Sequence, residues 1–242
     1  MTRTDVKKVL WLKFLEPKGV PPLAVKQGSK YRWPLPHAGK KGRWTTPLTD
    51  LHICKRGYHL TDLKHAVFWT QPELYIAEVE IQDNWEEFNS QRNYVTDSEA
   101  YKVAFRKVRL VRRVRKWNVK TARRMILKIA IRAVQIATGV RPENRKKLLR
   151  ALRLCLRQTN QRNLTAFLDM IGNLLIPSNL ESVLHYVSYG DNGGDGLRVL
   201  RDLAMEFRDA SRAWSTGNGS YKAIEWMAGL FRRETGLKGR SL

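Results

Sequence analysis

Lys120, Arg124, Lys128 and Arg132 follow one another at intervals of four residues, and Lys146, Arg150, Arg153 and Arg157 continue the pattern at intervals of four, three and four. On an α-helix each four-residue step turns 400°, so the first row drifts by about 40° per step and covers a sector of roughly 120°. Two neighbouring helices of this kind would show two ridges of positive charge to one side. Like charges so spaced weaken an isolated helix. The arrangement makes physical sense where the ridges meet phosphates, because each contact releases a condensed counterion and binding becomes strongly salt-dependent.

Running into the first of these rows, and sharing Lys120 and Arg124 with it, is KVAFRKVRLVRRVRKWNVKTARR, Lys102 to Arg124, with eleven basic residues and no acid. It contains Arg106, Arg109, Arg112, Arg113, Arg115 and Lys116, and also Val103, Phe105, Val108, Leu110, Val111, Val114 and Trp117. That apolar content anchors the segment to a folded module whose other side faces a polyanion. Residues 100 to 168 hold 21 Lys and Arg against one acid, Glu143, a net of +20 out of +23 for all 242 residues. The basicity is local, as an electrostatic footprint for phosphates should be. A merely solvated face would intersperse acids among its bases. Tyr31, Trp33, Trp44 and Trp117 lie near basic residues, where rings either stack on unpaired bases or anchor loops and core.

The elements that must position these side chains fall into two kinds. VLWLKFLE (Val9 to Glu16) and ELYIAEVEI (Glu73 to Ile81) have strand length and composition. A Pro, Gly and Lys-rich loop separates them, of a kind that is often functional. TDLKHAVFW predicts a short helix capped by Thr61 or Asp62. Val103 to Val111 fits a third strand, although 105, 108, 111 and 114 also suit a helix. From Asn118 the periodicity is helical: Ala122, Ile126, Ile129, Ala133 and Ile136 share a face, and Gly139 and Pro142 supply stop and start signals. A second helix with Leu148, Leu152 and Cys155 inward follows, then a third ended by Pro177. SNLE, Ser178 to Glu181, has capping-box spacing for a fourth, and two more follow GDNGGDG and STGNGS. The fold class expected is α+β, a small β-rich N-terminal domain at 1–117 followed by an all-helical bundle at 118–242.

Hydrophobic content of 43% with eight Trp excludes a disordered chain. Cys54 and Cys155 are too few for a disulfide scaffold, which points to a reducing compartment. No apolar run approaches the roughly 20 residues that cross a bilayer. The opening MTRTDVKKVLWLKFLEPKG has its apolar run broken by Lys13, so it does not read as a secretory leader. The expected location is the cytoplasm. His52, Cys54, His59 and His65 match no standard zinc spacing. DNGGDGLRVLRD departs from a calcium loop at Gly193 and Asp202. No metal or resident cofactor is expected.

CKRGYHLTDLKHAVFWTQPELYIAEVEI, residues 54–81, is the most pattern-like stretch. Its C-x-x-G-Y-H segment, small helix and following LY-x-x-EVE strand resemble an uncharacterised domain of phage and bacterial proteins. The same order is similar to the middle of the ADP-ribosyltransferase-like fold, over residues 8 to 111. That resemblance implies NAD as cofactor, with His59 at the NAD-facing strand end and Glu99 as the catalytic glutamate that holds the nicotinamide ribose or prepares the acceptor. The family's first motif has no match beyond Lys13 in WLKFLEPKG. The leading expectation from the residues is a nucleic-acid-binding protein that grips backbone phosphates of DNA or RNA through residues 102–162. An NAD-dependent transferase acting on nucleic acid, and an inhibitor or assembly protein docking on an acidic or RNA-containing partner, are the alternatives.

Overall fold

The computed structural model describes residues 9–22, 30–48, 51, 57–80, 93–94, 103–158, 161–189, 196–215 and 218–239. The chain is mixed α/β, with strands in its N-terminal half and helices after them. It divides into two compact units, Met1–Asn118 with Thr235–Leu242, and Val119–Glu234.

In the first unit, strands β1 (Trp11–Leu15), β3 (Glu73–Val79) and β6 (Val108–Arg113) form an antiparallel sheet in the order β1-β3-β6. Strands β2 (Tyr58–Leu60), β4 (Asn93–Tyr94) and β5 (Val103–Phe105) form a second, in the order β2-β5-β4. Alternation explains the core. Trp11, Leu15, Tyr75, Ala77, Val108 and Leu110 from the first sheet join Tyr58, Leu60, Val103 and Phe105 from the second in one buried cluster. Trp11 meets Phe105 edge to face, with ring centroids 4.8 Å apart. Leu12, Phe14 and Leu74, on the opposite face, are buried too. A strand covered on both sides needs a near-continuous apolar run, which is why WLKFL barely alternates. Leu12 and Thr61 exchange backbone hydrogen bonds of 2.8 and 3.0 Å and tie the two sheets together.

The stretch expected as one strand or one helix at 103–111 is in fact two strands in different sheets, separated by a bend at Arg106 and Lys107. The outer edge of β6 is covered by part of the Pro/Gly/Lys-rich loop: Gly42 donates to the Leu110 carbonyl, Thr45 to Val108 and Leu48 to Arg106. A side chain at Gly42 would stand 2.4 Å from the Pro34 carbonyl oxygen, so this close approach demands glycine. The short helix expected after His59 is a 3-10 turn, Ala66–Trp69, with His65 at its N-cap and no side-chain cap. Asp62 acts one turn earlier, accepting the His65 N–H at 3.0 Å and contacting its ring Nδ1 at 2.8 Å.

The second unit is built from α1 (Val119–Ile136), α2 (Pro142–Arg157), α3 (Gln161–Gly172), α4 (Ser178–Tyr189), α5 (Gly196–Ala213) and α6 (Gly219–Thr235). α1 packs against α2, α4 and α5. That central place is why it buries Met125, Leu127, Ala130 and Val134 besides the expected Ala122, Ile126, Ile129 and Ala133. α3 stops at Gly172, short of Pro177, because Asn173 and Leu174 tighten the last turn with bonds to the carbonyls of Met170 and Ile171. Ser178 is the first helical residue of α4 rather than its cap. The Pro177 carbonyl accepts from Glu181 N at 3.0 Å and takes the capping position. Among the described residues no helix is long and apolar enough to cross a membrane.

Candidate nucleic-acid interface

Within the first unit, the basic residues of β6 lie beside an acidic strand. Antiparallel register sets Glu78 opposite Arg109, and the pair closes at 2.8 Å, with Lys41 joining the same carboxylate at 2.9 Å. Hydrogen bonding from Arg109, and then from Lys41, holds the Glu78 carboxyl below its ordinary range. Lys107 pairs with Glu80 at 2.6 Å, and Arg113 with Glu73 at 3.1 Å. Glu73 is buried and also accepts the Tyr75 hydroxyl at 2.9 Å. Burial, reinforced by that carboxylate, pushes the Tyr75 hydroxyl up to about 12. The Arg109 guanidinium lies 4.5 Å from the centre of the Trp44 ring, so this aromatic is occupied by a cation of its own chain. Arg106 is likewise engaged, donating its Nε–H to the Leu48 carbonyl at 2.8 Å. Arg112, Arg115 and Lys116 are exposed at and beyond the end of β6.

The row on α1 has a mixed fate. Lys120 is exposed, while Arg124 and Lys128 both reach Glu234 of α6, at 3.5 and 2.5 Å. Glu234 keeps only 7% of its side chain accessible, a buried carboxylate clasped by two cations. Arg132 is half-buried. The 40° drift per step carries this row from the exposed edge of α1 towards its packed side.

The row on α2 is different. Lys146, Arg150, Arg153 and Arg157 are all exposed, and among the described residues none forms an ion pair or hydrogen bond. Their spacing confines them to a sector of about 60°, along about 16 Å of helix. Asn144, Leu148, Leu152 and Cys155 are buried on the opposite side. Pro142 at the start of α2 needs no hydrogen-bond partner for its nitrogen, and Glu143 in the first turn suits the positive end of the helix dipole. Arg141 and Lys147, also exposed, add charge beside the ridge and had escaped the spacing argument. Arg145 has turned inward. Its guanidinium donates to the carbonyls of Val134, Gln135 and Ala137 at 2.6, 2.7 and 2.8 Å and so caps the C-terminal end of α1.

Of the two residues singled out through the transferase resemblance, His59 is the one that lies among the described residues. His59 lies in β2, half-buried, and its carbonyl accepts the Lys13 ammonium at 2.9 Å while that ammonium stands 4.7 Å over the Trp33 ring. Glu99 falls outside the described residues, as do His52 and Cys54. Among the described residues, no three His, Cys, Asp or Glu gather as a metal site. No known protein family matches the chain, and no curated protein or solved structure is significantly similar to it.

Proposed function

We propose that this protein binds nucleic acid by its phosphates, with α2 as the centre of the contact. One observation supports this reading above the others: Lys146, Arg150, Arg153 and Arg157 form an exposed cationic ridge with no acid engaged on it among the described residues. Lys120, Arg141 and Lys147 extend the positive surface of the same unit. α2 packs its buried face against α1 and α3, so its outward face is a contact surface that costs the core nothing. Arg and Lys on such a ridge neutralise phosphates without distinguishing bases, so affinity is uniform across sequences.

The test is a salt titration of the full chain with nucleic acid. Log affinity against log salt concentration is expected to be linear, with a slope of at least about −3 from the four α2 cations alone. A slope near zero, or no binding at low salt, would remove the phosphate reading and leave an acidic protein as the ridge's partner.

A further inference from the structure

We infer that the ligand of the α2 ridge is a double helix rather than a single strand, an inference that rests on the phosphate reading above and sharpens it. Proteins that hold single strands combine cations with aromatic rings on which the splayed bases stack, and without such rings an unpaired base gains little from the surface. The chain carries no Phe, Tyr, Trp or His at all between Trp117 and Phe167. α2 and the whole of α1 are therefore free of rings. α2 packs against α1 and α3, and the ring that α3 contributes, Phe167, is 1% exposed and belongs to the core. No stacking platform stands on the ridge or on the helices beside it within this unit. A duplex needs none, because its bases are already stacked on each other and it offers its partner rows of phosphates.

The shape of the ridge agrees. Its cations occupy a sector of only about 60° on a helix whose full width is about 10–12 Å. A helix inserted into a groove would need cations on both flanks to reach the two walls. Here one flank carries Leu154, 45% exposed, the first-turn acid Glu143 and a single cation, Lys147, while the other carries the half-buried Leu149 and Leu156 and no cation. The geometry fits one line of contact along a phosphate row on the outside of the duplex. That contact is available on DNA and on RNA, since both present the same phosphodiester chemistry at the outer edge.

The experiment compares four probes with the full chain over one salt series: a DNA duplex, an RNA duplex of the same sequence, and one unstructured strand of each. At least one duplex is expected to bind about tenfold or more tighter than its own strand, with a slope that loses about 0.9 for each α2 cation converted to Ala. The tighter duplex then identifies the source. Thermal unfolding of each Ala variant, expected to match the parent because all four side chains are exposed, guards against a variant lost to misfolding. Strands bound as tightly as duplexes would overturn this inference while leaving the phosphate reading intact. Absence of binding to all four probes would overturn both.

Discussion

β6 and α2 carry the same kinds of side chain, yet the fold treats them in opposite ways. Along β6 and the bend before it, Lys107, Arg109 and Arg113 are met by Glu80, Glu78 and Glu73 of the neighbouring strand. Along α2, Lys146, Arg150, Arg153 and Arg157 meet nothing among the described residues. A strand in a sheet has neighbours one ladder spacing away on which opposite charges can be placed. A helix covered on one side has no such neighbour for the side it turns outward. Dense positive charge is thus cross-strand glue in the first case and an available surface in the second. α1 shows both treatments, with Lys120 exposed and Arg124 and Lys128 committed to Glu234.

The largest effect expected from this contrast is on binding. Replacing Lys146, Arg150, Arg153 and Arg157 together by Ala should lower the salt slope by about 3–4 and the affinity by more than about tenfold at physiological salt. Thermal stability should stay within about 0.5 kcal/mol of the parent, as for surface sites generally. Arg109→Ala with Arg113→Ala should do the reverse, leaving the slope alone and costing about 1–3 kcal/mol because the Glu73 carboxylate loses a partner while buried. A slope that fell equally in both variants would erase the distinction between the two regions.

Arg145 offers a comparison within one helix. Arg145→Met keeps the length of the side chain but abandons three carbonyls at the end of α1, and should cost about 2–3 kcal/mol in chemical denaturation with little change of salt slope. Equal stability to the parent would show that water replaces the cap without loss.

A smaller effect is expected from Glu234→Gln. It releases Arg124 and Lys128 from a carboxylate, so the slope should steepen by up to about 2 and the affinity should rise. Unchanged binding would place the outer end of the α1 row outside the contact.

The smallest is a pH effect confined to the sheet. Tyr75 has its folded value raised from 10.0 to about 12. The associated stability is complete below pH 10 and is lost as pH rises through about 12, since the unfolded chain releases this proton first. Denaturation midpoints measured across that range should fall less steeply in Tyr75→Phe than in the parent. Glu78 has the opposite sign: its carboxyl is held below 4.5, so its contribution disappears on acidification below that value.

Much of this was legible before any coordinates. Helical spacing translates directly into direction, so the outward ridge of α2 and its inward Leu148, Leu152 and Cys155 could be read from intervals of three and four residues. Strand composition marked β1 and β3 for the same reason, and the mixed α/β character with helices late in the chain followed. Glu73, Glu78 and Glu80 also run in reverse order to Lys107, Arg109 and Arg113, a pattern in the chain that matches an antiparallel ladder.

What spacing could not reveal was which cations would be neutralised. Glu78 lies 31 residues from Arg109, and Glu234 lies 106 residues from Lys128. Nor could the intervals show that Arg145, one residue from the ridge, would turn inward to cap α1, or that residues 103–113 would divide between two sheets. The charges and the helix face each occupies follow from residue type and local backbone geometry, and so are written along the chain. Which charges meet a partner is a property of the fold, because Coulomb attraction and hydrogen bonding act across space and ignore the distance along the chain.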